Sequence, residues 1–356
     1  MDLPEAAGLA QSEASPTAIL VNMDSFTPAP PADPLPGHRL RLENIRRAAG
    51  FIDPVFLNTP QFDCEPLSEA LACRLTLKLE TANPIRSFKG RGAGYLVGRR
   101  AAEGLLAGRR LAGASAGNWG QALAYACRSQ GVPLTLFAAT TANPLKVARM
   151  TALGAEMVLT GHDFDAAKQA GEAHARATGG LWVADGLDAE AAEGAATIAV
   201  ELLAHGRQPD AIVVPLGNGA LLTGIARWAK AMNPGVEVIG VQASGADAME
   251  RSWRTGTLVF PPAVSTIADG IGVRVPIAEA VEDMRGIVDD VLLVEDSQII
   301  TAMRLLFRTA GILVEPSGAA GVAAIQSHPT RFQNRHVATI LCGSNLTEEQ
   351  VRNWLT

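Results

Sequence analysis

Aromatic residues are scarce in this chain. Five Trp, two Tyr and ten Phe make up 5% of 356 residues, too few for the stacked-ring platform that single-stranded nucleic acid needs. Basic clusters are missing as well, and a formal net charge of −6 opposes a surface for nucleic acid or anionic membrane. Only four cysteines occur, Cys64, Cys73, Cys127 and Cys342. No two share a CxxC spacing and most sit among apolar residues, which points to reduced, buried thiols and away from disulfides or a zinc site. No apolar run approaches the length of a bilayer span, and the N-terminus lacks the basic-then-apolar layout of a signal peptide. The expectation is a cytoplasmic protein with no nucleic-acid or membrane partner.

What is present is apolar. Hydrophobic residues reach 48% against 19% charged, in a chain long enough for two lobes and a large core. Residues 1–36 are rich in Pro, Ala, Ser and Asp without periodicity and read as a flexible extension, with a short edge strand over 17–21. From Gly37 a helical spacing of Leu40, Ile45 and Ala48 begins, and Asp53-Pro54 stops it. Apolar, β-rich runs then recur at 75–79, 110–113, 133–138, 156–160, 181–184, 211–216, 236–242, 291–294 and 337–342. Alanine-rich amphipathic helices separate them, for example 121–130 and 192–205. This alternation predicts an α/β fold of two α/β lobes with mostly parallel sheets and a cleft between them. A helix over 347–354 ends the sequence, with no repeat of fixed period before it.

Four loops at strand-to-helix junctions carry the chemistry, because α/β folds place ligands at the carboxyl ends of their strands. The first is Ser87-Phe88-Lys89-Gly90-Arg91-Gly92-Ala93. A lysine that forms an imine with a carbonyl needs a partly dry pocket that frees its amine, and the small residues after Lys89 would let a cofactor approach the backbone. The bland alternative is a solvated lysine at a helix start. The second loop is Ala114-Ser115-Ala116-Gly117-Asn118-Trp119-Gly120-Gln121. Free backbone N–H groups, a helix N-terminus and the donors of Ser115, Asn118 and Gln121 form a clamp for a carboxylate, against the alternative of a plain Ser115 cap with packing glycines.

The third loop, Gly217, Asn218, Gly219, Ala220 and Leu221, follows an apolar strand and opens a helix. Such a turn cradles phosphate. Its next glycine, Gly224, gives GxGxxxxG instead of the dinucleotide spacing, and no Gly-Lys-Ser/Thr follows, so a phosphorylated cofactor or substrate remains, or a tight turn with no ligand. The fourth loop, Leu341-Cys342-Gly343-Ser344-Asn345, closes the last strand. Cys342 there is either a small buried hydrophobe or an uncharged partner for a ring nitrogen.

Taken in order, SFKGRGA, ASAGNWGQA, GLDAEAAEGAATIAVE, VPLGNGALLTGIA, STIADGIGV, LVEPSGAAGVAA and LCGSN resemble the fold-type II pyridoxal-phosphate enzymes, within them the serine/threonine dehydratase and serine racemase branch. The resemblance runs from about Leu40 to Trp354. It implies pyridoxal 5'-phosphate as cofactor, in imine linkage to Lys89, with its phosphate held by Gly217, Asn218, Gly219, Ala220 and Leu221. It implies Cys342 at the pyridine nitrogen, Phe88, Asn118 and Glu315 lining the pocket, and Ser115, Ala116, Asn118 and Gln121 around the carboxylate of a small amino-acid substrate. It further implies a large domain of residues 37–108 plus 188–356, a small mobile domain of 109–187, and a homodimer.

The implied reaction is α,β-elimination of a β-hydroxy amino acid such as threonine or serine to a 2-keto acid and ammonia. Lys89 would remove the α-proton, and the cofactor phosphate would help protonate the departing hydroxyl. Alternatives are a β-replacement synthase with an external nucleophile, a racemase, and a cofactor-binding protein without catalysis. Four departures from the branch matter. Ala116 stands where racemases carry a second serine, which disfavours racemisation. Gln242 and Ala248 stand at the positions of an acidic divalent-cation site, so no metal is expected. Trp119 replaces a histidine. Arg86 stands where relatives prefer glycine, either as a solvated charge or as a receptor for a distal acid group of the substrate.

Overall fold

The computed structural model describes residues 33–204 and 206–355; the strand expected over 17–21 lies outside them. Among the described residues ten strands form two sheets: β1 Gln61–Asp63, β2 Arg74–Leu79, β3 Leu111–Ala114, β4 Leu134–Ala138, β5 Glu156–Leu159, β6 Leu181–Trp182, β7 Ala211–Pro215, β8 Glu237–Ala243, β9 Asp290–Val294 and β10 His336–Leu341. The larger sheet has the order β1-β2-β10-β7-β8-β9 and the smaller β5-β4-β3-β6. Every pairing is parallel except β1 with β2. The expected α/β architecture of two mostly parallel sheets is therefore what the chain adopts.

The central strands are apolar without a break because both faces are covered. Along β7, Ile212 and Val214 face one hydrophobic cluster, with Leu222, Ile225 and Trp228 of the helix Ala220–Met232. Ala211 and Val213 face another, with Ala319, Val322 and Ala323 of the helix Pro316–Ser327. Leu111, Leu134 and Leu136 of the smaller sheet join a third cluster, with Leu96 of the helix Lys89–Ala102 and Leu123 of the helix Asn118–Ser129. Each buried Leu, Ile or Val side chain contributes about 1.5–3 kcal/mol. All four cysteines are free and buried.

Some boundaries differ from expectation. The helix expected over 192–205 is two shorter ones, Ala189–Ala195 and Thr197–Leu202, divided where Gly224 presses its backbone against Ala192 and Ala196. Strand β1 was not legible: it is three residues long, half-buried to exposed, and lies at a sheet edge. The end of the proline-rich stretch is docked, with Asp33 bonded 2.5 Å from the fully buried guanidinium of Arg227. Among the described residues, no helix is long and apolar enough to cross a membrane.

Candidate active site

The predicted loops all emerge from carboxyl ends of parallel strands, those of β2, β7 and β10 in the larger sheet and β3 in the smaller. Strand β2 leads through a turn to Lys89, the first residue of the helix Lys89–Ala102. The Phe88 N–H donates to the Cys342 carbonyl (3.1 Å), and Ser87 bridges Gly343, so the lysine segment is fastened to the end of β10. The Lys89 amine lies 4.6 Å from the centroid of the Phe88 ring and 6.0 Å from that of Trp119, within reach of cation–π attraction. Its direct partner is Asp185, with Nζ to Oδ2 at 2.5 Å.

Asp185 was missed in the sequence. It follows β6, three residues past Trp182, and its side chain is nine-tenths buried. Asn218 Nδ2 approaches the same Oδ2 at 3.4 Å, while Oδ1 is buried without a hydrogen-bond partner. The signal was there: an acidic residue before Gly186, at the carboxyl end of an apolar run, meets the criterion that selected the other loops.

The glycines after Lys89 do not serve the expected purpose. A Cβ on Gly90 would lie 2.2 Å from the Phe56 ring, and one on Gly92 would lie 2.5 Å from the Ala191 carbonyl. They let the helix pack against its neighbours, so cofactor approach is not what requires them.

In the second loop the Ser115 hydroxyl oxygen accepts the N–H groups of Gly117 (3.1 Å) and Gly120 (3.0 Å). Gln121 is buried, and its Nε2 has no partner. A buried, unpaired amide donor costs about 1–3 kcal/mol, which a carboxylate placed against it would recover. The Trp119 indole N–H is likewise buried and unpartnered. The Asn118 side chain is spoken for: Nδ2 donates to Glu315 (2.7 Å), and Oδ1 accepts from Asn345 Nδ2 (2.8 Å). Ala116 is half-buried in the same loop and offers only a methyl group.

Glu315 is fully enclosed, accepting also from the Asn345 N–H (2.8 Å). Burial, reinforced by Asp269, pushes its carboxyl up to about 7, against the opposing pull of the Asn345 and Asn118 hydrogen bonds and of Lys146. Burial, with Glu315 adding to it, raises the Cys342 thiol far above its ordinary range, so Cys342 is neutral.

In the third loop Gly219 adopts φ 101°, which a side chain would resist, and a Cβ on Gly217 would meet the Gly270 carbonyl at 2.5 Å. The turn delivers Ala220 and Leu221 as the opening residues of the helix Ala220–Met232, whose first N–H groups lack intrahelical acceptors. A phosphate fits such a cradle. The reactive amine, the neutral thiol and the phosphate cradle at adjoining strand ends thus fit pyridoxal phosphate.

Two departures gain physical reasons. Arg86 has φ 52°, a left-handed conformation that favours glycine, and its exposed side chain leaves the strain uncompensated by burial. Gln242 is fully buried, its Oε1 accepting the Glu250 N–H at 3.0 Å while its Nε2 has no partner. Among the described residues no cluster of three His, Cys, Asp or Glu is arranged to hold a metal ion.

Behind Lys89 lies a buried charge cluster that the sequence did not reveal. Arg91 grips Glu80 through two bonds (2.8 and 2.9 Å) and Glu201 through two more (2.6 and 2.9 Å). Lys78 Nζ joins Glu201 at 2.7 Å, and Thr59 donates to Glu80 at 2.5 Å. Burial opposes the Glu201 carboxylate, yet Arg91 and Lys78 hold it below its ordinary range. Two cations and two carboxylates balance, and the cluster fixes the first turn of the helix that begins at Lys89.

The chain belongs to the pyridoxal-phosphate dependent enzymes, whose family pattern matches residues 52–343. It is 32% identical over 307 residues to the L-threonine ammonia-lyase of Thermotoga maritima, covering 86% of this chain and 76% of that protein. To the serine racemase of Arabidopsis thaliana it is 30% identical over 309 residues, covering 85% and 92%. Among solved structures, the T.th. threonine deaminase superposes with a TM-score of 0.79 at 32% identity, covering 86% of this chain and 98% of that one.

Proposed function

We propose that the protein is a pyridoxal-phosphate dependent ammonia-lyase that converts a β-hydroxy amino acid such as threonine or serine to a 2-keto acid and ammonia. The observation that carries this reading is the position of the Lys89 amine, held between Phe88 and Asp185 beside the phosphate cradle. Lys89 would bind the cofactor covalently, residues Gly217, Asn218, Gly219, Ala220 and Leu221 would take its phosphate, and Cys342 would face its ring nitrogen. When bound, the cofactor supplies the electron sink for breaking the Cα–H bond.

This chain's own residues do the rest. The unpaired Gln121 amide and the Ser115 loop orient the substrate carboxylate. The Lys89 amine, released by the incoming substrate, accepts the α-proton at Nζ. Glu315, Asn118 and Asn345 hold the carboxylate-binding helix against the end of β10. A neutral thiol at Cys342 cannot stabilise a protonated pyridine as a carboxylate would, which favours prompt elimination. Ala116 offers no group to return a proton on the opposite face, so racemisation is disfavoured. Residues 37–108 with 188–356 as a large domain, 109–187 as a small one, assembly as a homodimer and a cytoplasmic location belong to the same reading; light scattering and limited proteolysis test the assembly and the boundaries.

The purified holoenzyme is expected to show visible absorption from cofactor bound to Lys89 and to release keto acid and ammonia from serine or threonine. Lys89→Ala is expected to lose both. Visible absorption without keto acid from either substrate would overturn the ammonia-lyase assignment and leave the cofactor assignment standing.

A further inference from the structure

Asp185 has no part in the reaction as set out above, yet it touches the reacting amine. Its Oδ2 is 2.5 Å from Lys89 Nζ, its side chain is nine-tenths buried, and its Oδ1 lacks any partner. Once Lys89 is engaged with a cofactor or substrate, this carboxylate loses its cation and keeps only the Asn218 amide at 3.4 Å. An isolated buried carboxylate is costly, so a proton or a donor must take the place of the ammonium. The substrate Cα must come within about 3.5 Å of Nζ for proton transfer, which brings the substituent on Cβ within reach of Asp185.

We infer that Asp185 is the acid that protonates the leaving group, working in alternation with Lys89. The inference rests on the ammonia-lyase reading. The ammonium–carboxylate pair is the state of the cofactor-free protein. When the incoming substrate frees Lys89, Nζ is released as a neutral amine, while an N–H bond of the substrate's ammonium group breaks and an Oδ–H bond forms on Asp185, leaving a neutral amine and a neutral carboxyl. Rotation about Cβ–Cγ, a soft torsion in aspartate, presents that proton on the unpartnered side. The Cα–H bond then breaks, its proton goes to Nζ, and its electron pair becomes the second, π bond between Cα and Cβ. The Cβ–O bond breaks with its electron pair on oxygen, and the Asp185 proton completes a water molecule. Lys89 ends as ammonium and Asp185 as carboxylate, the pair seen in the cofactor-free protein, and the ammonium proton leaves with the departing amino product when Lys89 takes the cofactor again.

The test compares leaving groups that need a proton with one that does not. In Asp185→Asn, turnover of serine is expected to fall by about 100-fold or more, within the usual range for loss of a general acid. Turnover of β-chloroalanine, whose chloride departs unprotonated, is expected to fall by less than about tenfold. The ratio is taken within one variant, so partial unfolding cancels. A parallel fall on both substrates, or no fall on serine, overturns the inference. A second readout needs no cofactor. With the carboxylate gone, Lys89 of the cofactor-free protein is expected to react with an amine-labelling reagent about threefold or more faster at fixed neutral pH, because its Nζ is no longer engaged by Oδ2 at 2.5 Å. Unchanged labelling of Lys89, located by mass spectrometry, also overturns it. Elimination from neither substrate by the wild-type holoenzyme strikes the functional reading itself.

Discussion

At the scale of the residue, Glu315 ties the chemistry of the site to pH. The folded protein retains its proton to about 7, whereas an ordinary glutamate releases it near 4.5. Between those values the folded state binds more protons than the unfolded one, so stability from this group declines as pH rises. The loss amounts to about 3 kcal/mol across the window and is complete above it. Urea unfolding at pH 5, 6, 7 and 8 is expected to show this slope in the wild type and to lose it in Glu315→Gln. The variant also starts lower at pH 5, since its amide must face the Asn118 or Asn345 donors that now meet a carboxyl oxygen. A slope that persists in Glu315→Gln would place the titrating group elsewhere. The motif singles out Glu315, but its raised proton affinity was not legible, because it comes first from burial by the folded chain and then from Asp269, which approaches from a distant part of the sequence.

At the scale of the element, the helix Lys89–Ala102 is an unpromising one by propensity, with Gly90, Gly92, Gly94 and Gly98 in its span. Each such glycine costs about 1 kcal/mol relative to alanine. Packing offsets this cost, because the missing side chains admit Phe56, Ala191 and Phe51 at close range. Arg91 adds the anchor. Arg91→Met would leave Glu80 and Glu201 buried with Lys78 as their remaining cation, and a broken buried ion pair of this kind costs about 3–5 kcal/mol. The expected result is a large drop in the urea midpoint, partly recovered by adding Glu80→Gln. Arg91→Lys should also fail, since a point charge cannot grip two carboxylates as a planar fork does. No recovery in the double variant would show that the shape of Arg91, and not its charge, is what the helix needs. The strands were readable because buried parallel strands are nearly continuous apolar runs; β1 and the break at Ala196 were not, since each depends on a neighbour far off in sequence. The buried cluster was hidden for the same reason: Lys78, Arg91 and Glu201 lie on three separate elements, and only the fold brings them together with Glu80.

At the scale of the whole molecule, polar contacts join the elements around the smaller sheet to loops of the larger half. Lys146 pairs with Asp269 at 2.6 Å, Arg274 with Asp165, and Arg149 donates to Asn345 at 3.1 Å. Lys146 and Arg149 lie on the helix Pro144–Ala152, and Asp165 on the helix Phe164–Thr178. Asp269 is largely exposed, so each ion pair contributes about 1 kcal/mol or less to stability. They join the elements that carry Asp185 and the Ser115 loop to those that carry Lys89 and Gly217, so their expected effect is on how the two halves are arranged. If the double variant Lys146→Ala with Asp165→Ala lowers the fraction of molecules in the closed arrangement, apparent affinity falls by that fraction. The expected outcome is a KM for serine raised about threefold to tenfold with kcat preserved, the pattern of lost uniform binding. The melting temperature should move by only about 2–4 °C. Raising salt should produce part of the same KM increase in the wild type, since exposed pairs are screened within about 10 Å at 0.1 M ionic strength. A fall in kcat with KM unchanged would mean that these pairs position the reacting groups directly, and that the two halves stay closed without them.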